Sequence, residues 1–69
     1  MPSNLDADIV WYQQRINECN GALATLANEP ESLSRNAEQH LVMESLGRHQ
    51  ATLEHLHRLR AMIDRQVQP

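Results

Sequence analysis

Residues 42–67 read VMESLGRHQATLEHLHRLRAMIDRQV, and the spacing inside this stretch decides the fold. Val42, Leu46, His49, Leu53, Leu56, Arg60, Ile63 and Val67 follow one another at alternating steps of four and three. Residues at those steps share a helical face, so the alternation draws one seam down a single long helix. His49 and Arg60 are not apolar, and they mark two fixed heights along it.

Toward the amino terminus the pattern meets one break, Asn28-Glu29-Pro30-Glu31-Ser32. Pro30 lacks an amide and disfavours helix in the residue before it, so an earlier helix is expected to end near Ala27 or Asn28. Proline also suits the first turn of the next helix, with Glu29 and Glu31 on the positive end of its dipole. Beyond the break, Leu5, Ile9, Tyr12, Ile16, Cys19, Leu23 and Leu26 keep the same four-three alternation. This predicts an amphipathic helix about 35 Å long. Ser3 or Asn4 can cap it, with Asp6 and Asp8 near its positive end. Asn20-Gly21 is a natural stop, but the stripe stays in phase through Leu23 and Leu26, so the helix is expected to run on. Three Glu-before-Arg pairs at i,i+4 support the second helix: Glu31–Arg35, Glu44–Arg48 and Glu54–Arg58.

A short turn between two helices makes them antiparallel neighbours. The expected fold is all-α, one helical-hairpin domain with helix 1 over about 4–27, a turn at 28–32 and a longer helix 2 over about 33–67. Counting outward from the turn, Leu26 faces the region of Leu33, Leu23 faces Ala37, Cys19 faces Leu41 or Val42, and Ile16 faces Leu46. Tyr12 then meets His49 and Ile9 meets Leu53, and helix 1 runs out near Leu56. Leu59, Met62, Ile63 and Val67 are left on an uncovered helix end, and soluble monomers seldom keep such a patch without a use for it. A second copy of the hairpin, giving a four-helix bundle, is the simplest cover.

Composition points the same way. A chain of 69 residues makes a marginal core when it stands alone, and stability at this size usually draws on disulfides, a metal or a partner. Cys19 is the single cysteine, which excludes a disulfide within the chain. The net charge of −3 does not suit a general nucleic-acid binder. Its distribution is uneven: residues 1–47 hold seven acids against Arg15 and Arg35, while residues 48–69 hold four arginines against Glu54 and Asp64. Residues 1–8 lack the basic and apolar regions of a signal peptide, and no apolar run could span a bilayer, so a cytoplasmic protein is the default expectation.

Several side chains invite chemistry. Glu54-x-x-His57 has the spacing of carboxylate-bridged di-iron helices, and His40 and Glu44 lie one turn apart. No second Glu-x-x-His completes the set, so neither metal nor cofactor is expected, and a metal-binding bundle stands as an alternative. His49 sits opposite Tyr12, where a hydroxyl-to-imidazole pair is expected to fix register, with a pH switch as the sharper reading. Arg60 is expected either to snorkel or to meet an acid of a second subunit, such as its Asp6 or Asp8. Trp11 lies off the stripe and belongs to the residue type most enriched at binding hot spots. Cys19 reads as a small core hydrophobe. The Arg- and His-rich tail makes a nucleic-acid-binding regulator the other alternative.

In outline the architecture resembles the small helical hairpins that dimerise into four-helix bundles, a group that includes RNA-binding regulators and secretion co-chaperones. The resemblance is one of fold and carries no site residue across. No nucleophile, base and orienter accompany His49, so the expected function is a non-enzymatic protein–protein interaction module, a homodimeric adaptor, co-chaperone or regulator. Its expected partner-binding residues are Trp11, Leu56, Leu59, Arg60, Met62, Ile63 and Val67.

Overall fold

The computed structural model describes residues 4–67, apart from the side chain of Val67. It is a hairpin of two helices, α1 (Asn4–Ala27) and α2 (Leu33–Val67), with no strand among the described residues. The rod they form measures 57 × 19 × 14 Å. Neither helix is long and apolar enough to cross a membrane. The cap expected at Ser3 and the terminal Pro69 lie outside the described residues.

α1 passes through Asn20-Gly21 without a break, and neither glycine of the chain takes a positive φ. The stripe decides this: Leu23 and Leu26 beyond Gly21 pack on α2, which holds the last turns helical. At the end of α1 the Asn28 amide donates to the Thr25 carbonyl and the Glu29 amide to the Leu26 carbonyl, both at 3.1 Å. These tight bonds use two carbonyls that the helix end would otherwise leave unpaired.

α2 begins later than Pro30. Ser32 is its cap, with its Oγ accepting from the Arg35 amide at 3.0 Å and its carbonyl accepting from the Asn36 amide at 2.9 Å. Pro30 and Glu31 therefore stand outside the helix, and its first turn holds no acid. A serine hydroxyl that satisfies an orphan amide outweighs the fit of proline to a first turn.

The interface is one stripe from each helix. On α1 all seven apolar stripe residues turn inward, but only Leu26, 5% exposed, is buried; the other six are half-buried. On α2 the half-buried residues are Arg35, Gln39, Val42, Leu46, His49, Leu53, Leu56 and Arg60 along the seam, with Ser45 and Thr52 beside it. The seam thus continues backward in strict phase through two polar residues. Leu33 is 91% exposed and Ala37 is exposed, so neither faces α1 as expected. Arg35 supplies the reason: its Nε donates to the Leu26 carbonyl at 3.0 Å. α1 has no basic residue in its own last turn, and this guanidinium meets that helix's negative end from across the hairpin.

Surface pairing differs from the sequence expectation in the same way. Glu54–Arg58 forms, at 3.9 Å. Glu44 instead meets His40 at 2.9 Å, and Arg48 donates to the Ser45 hydroxyl at 3.3 Å. Arg35 turns to Leu26 and to the Asn36 side chain rather than to Glu31. Exposed pairs are worth a few tenths of a kcal/mol, so neighbours exchange partners easily.

Two stability measurements follow, each by urea denaturation at fixed protein concentration. A Cβ at Gly21 or Gly47 would meet nothing within 4 Å. Gly21→Ala and Gly47→Ala should each raise stability by about 0.5–1 kcal/mol, and a loss at Gly21 would contradict a continuous α1. Arg35→Ala should lose about 1 kcal/mol by removing the charged donor from the Leu26 carbonyl. An unchanged midpoint would show that this bond contributes nothing.

Candidate interaction surface

Halfway along the hairpin three rings from two helices meet. Tyr12 and His49 lie with centroids 5.7 Å apart and planes tilted by 55°. Trp11 puts an edge contact on each of them, at 4.8 Å to Tyr12 and 6.2 Å to His49. Edge contacts between rings are favourable because the positive rim of one meets the negative face of another. The Arg15 guanidinium lies 4.9 Å from the centre of the Trp11 ring and also binds Glu18 at 3.0 Å. Trp11 is therefore held in place while remaining 46% exposed.

The Tyr12–His49 meeting agrees with the expected register, but the contact itself is different. Among the described residues no hydrogen bond joins the hydroxyl to the imidazole. The two rings meet as a tilted pair instead. Arg15, which steadies Trp11, was not singled out in the sequence, although its position one turn after Trp11 is the signal that could have found it.

The lower end of the hairpin corrects a second expectation. Arg60 meets an acid of its own chain: its guanidinium Nη1 donates to Asp6 Oδ1 at 2.5 Å, and its Nε lies 3.4 Å from Asp64 Oδ1. Asp6 was expected as a contact from a second subunit. An arginine stem is long enough to span the small offset to the first turn of α1, so a contact within the chain is within reach and needs no second molecule to be brought in. Both side chains are about two-fifths exposed, which keeps this a surface-strength pair.

Around that tether the partner-binding candidates separate. Leu56 is half-buried and belongs to the intramolecular seam, with Leu5 half-buried at the start of α1. Leu59, Met62 and Ile63 are 36%, 52% and 46% exposed. The side chain of Val67 lies outside the described residues. α2 has 35 residues against 24 in α1, so among the described residues its lower end has no helix beside it.

Along one flank of the hairpin runs an open apolar groove of about 270 Å³. α1 contributes Cys19 and Ala22 to it, and α2 contributes Leu41, Val42 and Ser45. Glu18 and Glu38 stand at its rim. At 100° per residue, Leu41, Ser45, Thr52, Leu59 and Ile63 project within about 40° of one another, which makes a second stripe beside the seam. The Thr52 hydroxyl donates to the Arg48 carbonyl of its own helix at 3.0 Å, which satisfies it within α2. This stripe was not read from the sequence because serine and threonine interrupt its apolar character.

Among the described residues no three His, Cys, Asp or Glu side chains converge as metal ligands. His40 and Glu44 bind each other, and Glu54 and His57 share the wall of a second groove with Ile16, Gln50 and Leu53. In the cationic tail, Arg58 is engaged by Glu54, and Arg60 by Asp6 and Asp64. Compared with known proteins, the chain matches no family model, no curated protein and no solved structure.

Replacing the half-buried imidazole tests the seam's polar mark. His49→Leu should keep the helical content and raise stability by up to about 1 kcal/mol, since an apolar side chain suits this position better. Circular dichroism and a thermal melt read both quantities. An unfolded His49→Leu protein would show that the ring cluster is required for folding.

Proposed function

We propose that this chain is a small non-enzymatic protein–protein interaction module that binds through the uncovered lower end of α2. The observation that carries the reading is the exposure of Leu59, Met62 and Ile63 on a helix end with no helix beside it among the described residues. Arg60, tethered to Asp6, ties the root of that end to α1. The apolar strip therefore leaves the hairpin in a set direction, which lowers the entropy lost on binding. Burying three such side chains at about 25 cal/mol per Å² supports an association of useful strength.

Trp11 contributes a second anchor half-way up the same molecule. It is large, exposed and already held by Tyr12, His49 and Arg15, the condition under which an aromatic side chain adds most to binding. A homodimeric adaptor is the simplest form of such a module, and a co-chaperone or regulator would use the same surface on another protein.

The test compares wild type with a Leu59→Glu, Ile63→Glu double variant. Both positions are exposed, so the hairpin should keep its helical signal in circular dichroism. Sedimentation equilibrium measures self-association, and retention on immobilised protein from native lysate measures any other association. Two charges placed in an apolar contact should weaken whichever association wild type shows by at least about ten-fold. Equal association by both proteins would refute the lower end of α2 as the binding surface.

A further inference from the structure

The proposed module leaves open what lies on the strip, and the flank groove supplies an answer that rests on that reading. We infer that the occupant is a second copy of this chain, running antiparallel, with its α2 overhang seated in the groove formed by Cys19, Ala22, Leu41 and Val42. The arrangement is reciprocal. Each copy gives its overhang and receives the other's, as a two-fold interface requires.

Surface area argues for a copy of comparable size. The chain exposes 5455 Å² at a mass of 7.9 kDa. A compact monomer of that mass exposes about 4,400 Å². The excess is roughly 1,000 Å², close to the 800 Å² or so that each partner contributes to a standard interface.

The apolar surfaces argue for the direction. A parallel pair would set overhang beside overhang and groove beside groove, whereas an antiparallel pair lays each Leu59–Ile63 overhang along the other copy's groove.

Register follows from the second stripe. With the two-fold axis at Thr52, Leu41 stands level with Ile63 of the other copy, and Ser45 with its Leu59. Thr52 then faces Thr52, where an inward-bonded hydroxyl and a small side chain permit close approach. The register works because α1 is short. Where one copy lacks α1, its bare α2 can sink between both helices of the other. Trp11, level with His49, then lies near the axis.

Cysteine cross-linking tests direction and register together. Cys19 lines the groove and is half-buried, and it is the chain's single thiol. In an Ile63→Cys variant the new thiol and Cys19 of the same chain stand about 30 Å apart along the rod, beyond the reach of a disulfide. Mild oxidation of this variant, followed by peptide mapping, should give a covalent dimer dominated by the Cys19-to-position-63 link between chains. Wild type should give little covalent dimer, because two Cys19 residues in this arrangement are also about 30 Å apart. A predominance of Cys19–Cys19 or of 63–63 links overturns the antiparallel register.

A charge exchange across the paired stripe supplies a second measurement. Leu41→Glu and Ile63→Lys should each weaken dimerisation by about ten-fold, with two sites affected per dimer, and the combined variant should recover part of the loss. Failure of the combination to recover also overturns the register. These results are separable from the fate of the module itself. A dimer sensitive to Leu59→Glu, Ile63→Glu but with the wrong cross-links rejects only the antiparallel seat. A wild type that stays monomeric at 100 µM (about 0.8 mg/ml) yet holds another protein or RNA through the same strip rejects the second copy and keeps the strip.

Discussion

Two helices laid side by side touch along one line, and that geometric limit governs everything else in this molecule. Each helix can turn only one stripe inward, and a single stripe has no second layer to bury it. Leu26, beside the turn, is the one described side chain shielded from water on nearly all sides. Every other seam residue keeps part of its surface open. The hydrophobic effect scales with area removed from water, so a hairpin of this kind gains much less per residue than a bundle would. Polar contacts carry unusual weight in setting its geometry. Arg35 holds the Leu26 carbonyl at the turn end, Arg60 holds Asp6 at the open end, and His49 meets two rings between them.

Those three side chains share a design. Each occupies a seam position of α2, and each makes its contact with α1. Arg35 closes a helix end, Arg60 pairs with a first-turn acid, and His49 sets the height at which the helices align. Apolar residues at the same positions would bury more surface but would fit nearly as well one turn up or down. The seam trades some stability for a single register.

The helices themselves were legible from the sequence. Seven apolar residues in strict alternation specify α1, and their phase correctly overrides the stop signal at Asn20-Gly21. The lower half of α2 is equally plain. The upper half was misread because hydrophobicity was followed instead of phase. Stepping back from Val42 lands on Gln39 and Arg35, and choosing Leu33 and Ala37 placed two exposed residues at the interface. Composition could not reveal that an arginine belongs there, because its reason is a carbonyl on the other helix. Arg60 shows the same limit. Its seam position was legible, and an acid such as Asp6 was the right kind of partner. Whether that acid belongs to the same chain depends on the length of an arginine stem relative to the offset of two helix ends, which no periodicity encodes.

A thin seam also joins folding to association. For a compact domain, burial within the chain sets stability and a partner adds a separate increment. Here the flank stripe of Leu41, Thr52, Leu59 and Ile63 lies directly beside a seam that itself keeps most of its side chains partly open. Any protein that covers it adds a second layer over the first. The bound hairpin would then have what the isolated one lacks, side chains packed from more than one direction. Binding to the folded form alone raises apparent stability with the logarithm of partner concentration. Substitutions on the seam and on the flank should consequently be hard to sort by their effect on melting alone. What distinguishes them is concentration: a seam change alters the hairpin at any dilution, whereas the effect of a flank change vanishes once the chains are too dilute to meet.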